Sequence, residues 1–402
     1  MKIYEIGTGY ATIPTKIGAA TEIVVEELTH SMMKQNLDVT ILDIKDKNRQ
    51  SSNLSIIEVY MPQFFSSTDV KLGIMHKFKR VLYSISLSFE IIKILKSEKE
   101  KCILHFHNQY NLFFFLKIAS KRIIKNVEIV YTNHSYIWFG NWNDIKGILR
   151  KKYFQEIYCL RHANKVFVLN RITVDHLINK LNIQKDKIVL IPNGVNIDQY
   201  KPLGINSEDL EEYRRKWKIE EKKVFIQVGS LCDRKNQLGT AEMMLPLLKN
   251  NRDIVLAFVG GIIDTKYFKS IFDLCKRENI ENQVLYLGEV SPGKELNLIY
   301  NIAKASIFNS KSEAFGLVIL ESLSAGTPIL IDSDFLKRME MFDSNSNGII
   351  PYNSNSDSDL YFKIENEILN LENNKKHAQQ GRSFIENKYS WDAITDLYIK
   401  EL

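Results

Sequence analysis

Glu313-Ala-Phe-Gly-Leu-Val-Ile-Leu-Glu321 sets two carboxylates eight residues apart, with one glycine and an apolar run between them. It reads as a loop turning into a helix. The strand-forming run Ala305 to Phe308 precedes it, and Gly326-Thr-Pro328 ends it with glycine at the helix C-terminal cap and proline just beyond. The unit is therefore strand, loop, helix, strand, the repeat of a parallel α/β sheet. A helix that starts near Leu317 turns its free N–H groups and positive dipole end toward the carboxyl edge of the strand, where open α/β sheets bind ligands. An anion site is predicted there.

Each residue type in the stretch has a physical task. Gly316 lacks a Cβ, so a phosphate can come close to the Leu317 and Val318 amides. Glu321 lies about one turn into the helix, and because Cα–Cβ bonds lean toward the N-terminus its carboxylate can reach back to the same crevice, where it suits paired ribose hydroxyls. Glu313, on the loop side, can accept hydrogen bonds from a sugar attached beyond the phosphates. Together they fit a nucleotide diphosphate sugar. Taken alone, two glutamates at one spacing are more simply a solvated loop residue and a residue on an amphipathic helix.

The surrounding residues change that balance. Ser312-Glu313-Ala-Phe-Gly-Leu, followed by Glu321-Ser-Leu-Ser-Ala-Gly-Thr-Pro-Ile, resembles the E-x7-E region of the retaining GT-B glycosyltransferases of family 4. In that family a Glu-Gly/Ala-Phe-Gly loop precedes a helix ending in Ala-x-Gly-x-Pro. The resemblance implies donor contacts by Phe315, Gly316, Leu317, Val318 and Glu321.

The chain has 402 residues, 45% apolar and 25% charged, which suits two domains each large enough to bury a core. Cys102, Cys159, Cys232 and Cys275 are scattered without metal or dithiol spacing, so reduced thiols in a cytoplasmic protein are expected. Met1-Lys-Ile-Tyr-Glu leads into a strand-like segment without the pattern of a secretion signal, and no run approaches the ~20 apolar residues of a spanning helix. Residues 1–200 carry 28 Lys and Arg against 18 Asp and Glu, whereas residues 201–402 carry 26 against 30. The basic half should face an anionic partner. Nothing points to nucleic acid. The Asn-, Ser- and Asp-rich segment from Asp343 to Asp359 reads as exposed loop.

In the first half, Lys2 to Ile6 reads as a strand, Gly7 to Gly18 as a loop and about Ala19 to Lys34 as a helix. Gly7-Thr-Gly9 is not a dinucleotide fingerprint, because Pro14 lies inside the loop and no third glycine follows in place. By the family resemblance Gly18 contacts the distal phosphate, although Gly18-Ala19 stands where Gly-Gly is frequent. Val39 to Asp43, Ile56 to Tyr60, Cys102 to His107 and Val127 to Tyr131 continue the strands, separated by segments long enough for crossover helices. The resemblance sets His134 beside the donor sugar in an interdomain cleft. A histidine at a strand end is equally a structural residue, and His107 has the weaker claim to a ligand. Lys71, Lys77, Lys79 and Arg80 precede the apolar segment Val81 to Leu95, and Phe113-Phe-Phe115 is followed by Lys117, Lys121, Arg122 and Lys125. Such stretches can dock on an anionic membrane, or they can be core with solvated lysines.

Pro192-Asn-Gly-Val-Asn196 and Tyr200-Lys-Pro202 also resemble the family, in which such a motif closes the acceptor domain. The expected division is an acceptor-binding domain, residues 1–200, and a donor-binding domain, residues 201–386, with a final helix at about 387–402 crossing back. After the strand Lys223 to Val228 comes Gly229-Ser-Leu-Cys-Asp-Arg-Lys235. Family members typically have Gly-Arg-Leu and a lysine six residues after the glycine, both cations serving the donor diphosphate. Lys235 matches, Ser230 replaces the arginine, and Arg234 is a candidate to compensate. A cation aimed at the leaving phosphate stabilises the charge that develops as the glycosidic bond breaks. The nucleobase is expected near Val290, held by backbone groups.

The fold expected is GT-B, two Rossmann-like doubly wound parallel-sheet domains facing across a cleft. The implied reaction moves a sugar from a UDP- or GDP-linked donor to an acceptor hydroxyl with retention, without a metal or other cofactor. Lys235, Glu313 and His134 are the catalytic candidates, and the acceptor is a glycan, lipid-linked or other anionic molecule. A nucleotide-sugar epimerase or a phosphorylase on the same fold is the rival enzyme. A non-catalytic nucleotide-sugar-binding partner, suggested by Ser230, is the rival of another kind.

Overall fold

The computed structural model describes residues 2–15, 19–62, 74–151, 153–204, 207–339, 348–354, 356 and 358–402. Gly18, Lys71 and most of the first half of the Asp343 to Asp359 segment lie outside them. The chain forms two compact units, one made of Met1–Gly194 with Trp391–Leu402 and the other of Val195–Ser390.

The first unit is built on seven parallel strands: β1 (Lys2–Ile6), β2 (Asp38–Ile44), β3 (Ile56–Val59), β4 (Cys102–Phe106), β5 (Val127–Asn133), β6 (Lys165–Val168) and β7 (Ile188–Leu190). Their order is β3-β2-β1-β4-β5-β6-β7. Strand order reverses between β1 and β4, which opens a crevice at their carboxyl ends. β4 is buried along its whole length, as expected of a strand covered by helices on both faces. Leu104, Phe106, Ile129 and Trp138 are among the residues of its core. The helix Trp391–Glu401 belongs to this unit: Asp392 Oδ1 accepts from Ser31 Oγ at 3.0 Å, and Trp391 leaves no room for a Cβ at Gly194.

The second unit repeats the plan with β8 (Lys223–Val228), β9 (Ile254–Val259), β10 (Val284–Tyr286), β11 (Ala303–Phe308), β12 (Ile329–Asp332) and β13 (Ile349–Tyr352). The order β10-β9-β8-β11-β12-β13 sets its switch point between β8 and β11. Phe225, Leu256, Phe258 and Ile307 lie in a separate core.

Several boundaries depart from the expectation for local reasons. The run Gln283 to Gly288 yields only a three-residue strand, because Gln283 turns inward to donate to the Asn251 and Ile254 carbonyls and Gly288 takes a left-handed φ of +90°. Val81 to Leu95 is the middle of a longer helix, Ile74–Ser97. His107 lies beyond the end of β4, where the Asn108 side chain caps the next helix by accepting from the Tyr110 amide at 2.8 Å. None of the described helices is long and apolar enough to cross a membrane. The four cysteines are free thiols, Cys232 half-buried and the others buried.

Candidate active site

In the second unit, the loops at the switch point hold one another through their backbones. Gly229 ends β8 with φ +147°, and its amide donates to Val259 O at 2.8 Å. Gly260 repeats the device with φ +140° and donates to Gly288 O at 2.8 Å. A Cβ on Gly260 would stand 2.4 Å from Gly229 O, so these two turns touch only because both residues are glycine. The loop carrying half-buried Val290 follows Gly288 along the same carboxyl edge.

After Gly229 the chain makes a short 3-10 turn, Asp233–Lys235. Gln227 Nε2 donates to Lys235 O at 2.7 Å, and the Lys311 amide donates to Arg234 O at 2.9 Å. Buried Gln237 holds Ser230 O at 3.1 Å. The turn is thus clamped from β8 and from the loop after β11. Its two cations converge on one carboxylate: Arg234 Nη1 donates to Glu313 Oε1 at 2.8 Å and to Ser312 O at 2.9 Å, and Lys235 Nζ contacts the same Glu313 oxygen. Lys235 reaches it by lying across Gly229, where a Cβ would come to 3.2 Å from its Cε. Two positive groups against one negative leave a net positive cluster at the switch point, with Lys235 and Glu313 only 13% and 12% exposed. Such shielding strengthens its attraction for an anion.

The helix predicted from the opening stretch runs Leu317–Ser324. Gly316 caps its N-terminus in a left-handed conformation, φ +93°, and a Cβ there would meet Ile319 Cδ1 at 3.1 Å and the Phe308 ring at 3.2 Å. The Ile319 amide is bonded to Gly316 O at 2.9 Å. The amides of Leu317 and Val318 precede it at the positive end of the helix dipole. Phe315 turns inward and packs near Tyr389, with ring centroids 6.5 Å apart, so its side chain anchors the loop and leaves the backbone to meet a ligand. Glu321 lies one turn in. Tyr300 donates to its Oε2 at 2.8 Å, and burial pushes its carboxyl up to about 7 against the opposing pull of the Tyr300 hydrogen bond and the Lys235 charge.

In the first unit, His134 follows β5 and is half-buried. Its Nε2 lies 3.0 Å from His107 Nδ1, and His107 Nε2 lies 2.7 Å from Glu5 Oε2. His105 Nδ1 takes the other oxygen of Glu5 at 2.9 Å. His107 is therefore a buried partner of His134. Glu5, His105 and His107 are, among the described residues, a group whose donor atoms lie within 4.8 Å of one another, the spacing of metal ligands. Those atoms already satisfy one another by hydrogen bonds.

The sequence reading thus brought together Ser230, Arg234, Lys235, Glu313, Phe315, Gly316, Leu317, Val318 and Glu321 around the turns that follow β8 and β11. Val290 follows β10 on the same sheet, His134 belongs to the other unit, and Gly18 lies outside the described residues. Tyr300 and Glu5 were missed. Tyr300 sits in the ordinary amphipathic segment Leu296 to Ile302, and Glu5 is the one charged residue of β1 that falls on an interior position, the faint signal available for it.

Residues 209–390 match the family described as Glycosyl transferases group 1, and residues 21–199 match Glycosyltransferase Family 4. An uncharacterized glycosyltransferase of Methanocaldococcus jannaschii is 27% identical over 232 residues, 57% of this chain and 57% of its own length. The alpha-monoglucosyldiacylglycerol synthase of Streptococcus pneumoniae is 26% identical over 79% of this chain and 68% of its own. An Escherichia coli UDP-Gal:alpha-D-GlcNAc-diphosphoundecaprenol alpha-1,3-galactosyltransferase is 29% identical over 60% of each chain. The matches thus span between somewhat over half and two thirds of these relatives. Among solved structures, Anabaena HepE in complex with UDP and glucose superposes with a TM-score of 0.72 at 14% identity, covering 100% of this chain and 99% of its own. WaaG, a glycosyltransferase involved in lipopolysaccharide biosynthesis, gives 0.65 at 14%, covering 98% of each. At such identities the likeness is one of fold.

Proposed function

The chain belongs to the GT-B glycosyltransferases of family 4, and on that premise we propose that it moves a sugar from a UDP-sugar to an acceptor hydroxyl with retention of configuration. The observation that carries the reading is the convergence of Arg234 and Lys235 on Glu313 at the switch point of the second sheet, beside the start of the Leu317–Ser324 helix. The diphosphate lies at the Leu317 and Val318 amides, Glu321 accepts from the ribose hydroxyls, and Glu313 from the sugar. As the glycosidic bond breaks, Lys235 and the helix start hold the charge gathering on the leaving phosphate, and that phosphate takes the acceptor proton on the same face. Arg234, which shares the carboxylate with Lys235, supplies the second cation that Ser230 does not. Glu313 and Glu321 face different parts of one donor and are not the paired carboxylates of a glycoside hydrolase.

UDP is favoured over GDP because a structural neighbour was solved with UDP and a relative is named for UDP-Gal. A lipid-linked acceptor is favoured by the diacylglycerol and diphosphoundecaprenol named for two relatives, together with the basic first half. Phe78 and Phe89, both exposed and eleven residues apart on the helix Ile74–Ser97, share a face of that helix, where they would meet a membrane next to Lys77.

The testing experiment is a thermal-shift screen against nucleotide sugars, followed by incubation of each stabilising donor with and without a lipid-linked acceptor. Donor consumption only with acceptor present supports transfer. Conversion of donor alone would indicate an epimerase, orthophosphate dependence a phosphorylase, and binding without turnover a non-catalytic subunit.

A further inference from the structure

The carboxyl ends of β1, β4 and β5 hold a row of ionisable side chains whose proton positions can be deduced. Glu5 on β1 is fully buried and stands in register with His105 on the neighbouring β4. A buried carboxylate persists only if both oxygens are satisfied. Here His105 Nδ1 serves Oε1 at 2.9 Å and His107 Nε2 serves Oε2 at 2.7 Å. Burial pushes Glu5 up, but the two imidazoles outweigh it and hold the carboxyl at about 2.

An ionised carboxylate can only accept, so His107 Nε2 carries a proton. Burial and the neighbouring His105 hold His107 down at about 4, so the ring is neutral and its Nδ1 is bare. That bare nitrogen lies 3.0 Å from His134 Nε2, which must therefore donate to it. Burial, then His107 and His105, hold His134 well below the usual histidine range, so it too has one ring proton. The order of donors along the row leaves a single acceptor at its outer end.

We propose that Glu5 and His107 are positioning residues that fix His134 as the Nε2–H tautomer and so present its Nδ1 as a hydrogen-bond acceptor for a substrate hydroxyl. The role for the hydroxyl rests on the reading of His134 as a substrate contact, whereas the tautomer rests on the hydrogen-bond distances along the row together with the neutrality that burial imposes on both rings. A neutral acceptor nitrogen selects a hydroxyl and gives no attraction to a phosphate. His134 thus suits a sugar or acceptor hydroxyl and not a diphosphate.

The test is a long-range 1H–15N spectrum of the full chain with 15N-labelled histidine at pH 7.5, the His134 signals being identified by their loss in His134→Asn. The expected result is a proton on Nε2 and none on Nδ1 for both His107 and His134. A protonated His134 Nδ1, or a metal ion bound by Glu5 and His107 in the purified chain, overturns the relay. Kinetics then address the hydroxyl. His107→Leu should lower kcat by about tenfold or more, the scale set by partners that orient a functional imidazole, with the UDP affinity unchanged. His107→Gln, whose amide can donate to Glu5 and accept from His134, should recover part of that loss. Unchanged kcat in a folded His107→Leu, with the tautomer as expected, overturns the contact between His134 and a substrate hydroxyl and leaves the relay intact.

Discussion

Tyr300 donates its hydroxyl hydrogen to Glu321 Oε2 across 2.8 Å, a bond that joins the helix Lys294–Ile302 to the helix beginning at Leu317. It helps to keep a half-buried carboxylate ionised and pointed. Replacing Tyr300 by Phe should weaken nucleotide-sugar binding about fivefold, the cost of one hydrogen bond of ~1 kcal/mol. Isothermal titration with UDP and its sugars measures this. Unchanged affinity would mean that Glu321 needs no such support.

The same carboxylate predicts a pH dependence. Its folded value is about 7, raised mainly by burial and restrained by Tyr300 and Lys235. Only the ionised form accepts through both oxygens, so donor affinity should fall as pH drops from 8 to 6. Loss of the Tyr300 bond should move that inflection upward, and Glu321→Gln should flatten the profile. Titrations at several pH values decide it, and an inflection unmoved by either substitution would contradict it.

Lys235 should matter more to the chemical step than to binding, because the charge that it holds grows on the way to the transition state. Lys235→Ala is expected to lower kcat by roughly 10²–10³ while the UDP affinity changes far less. Steady-state kinetics with separately measured UDP binding make the comparison. Equal turnover would remove Lys235 from its role.

Glu156 yields a prediction about stability alone. Its Oε1 accepts from Trp138 Nε1 at 2.6 Å and from Asn133 Nδ2 at 2.7 Å, while Oε2 has no partner among the described residues. Burial lifts the carboxyl to about 7, against the pull of those two bonds. Between the ordinary value of 4.5 and 7 the folded chain binds more protons than the unfolded one. Stability is therefore full below that window and is lost as pH rises through 7, by about 3 kcal/mol. Glu156→Gln should raise resistance to urea at pH 8 and confer little at pH 5. An equal effect at both pH values would contradict this.

Membrane docking is tested by flotation with vesicles. Anionic vesicles should carry the chain with them at low salt, release it at high salt, and lose it on Phe78→Ser with Phe89→Ser. Equal binding to neutral vesicles would contradict an electrostatic docking surface.

The features legible in the sequence were those encoded locally. Continuous apolar runs such as Lys223–Val228 and Ile254–Val259 must be buried on both faces, and they form strands over just those residues. The glycine and the two glutamates of the opening stretch lie on one loop and the helix that follows it, so the local motif and its family resemblance were enough to single them out. What escaped depends on sheet order. Glu5 meets His105 only because β1 lies beside β4, a hundred residues away in the chain. Tyr300 meets Glu321 across two helices, and neither residue's neighbours announce the other.

The measurement that bears most directly on the central claim is a crystal structure of the chain with UDP. The diphosphate should lie at hydrogen-bond distance from the Leu317 and Val318 amides and beside Lys235, with the ribose hydroxyls on Glu321. A nucleotide bound elsewhere on the chain, or a diphosphate that leaves those amides untouched, would contradict it.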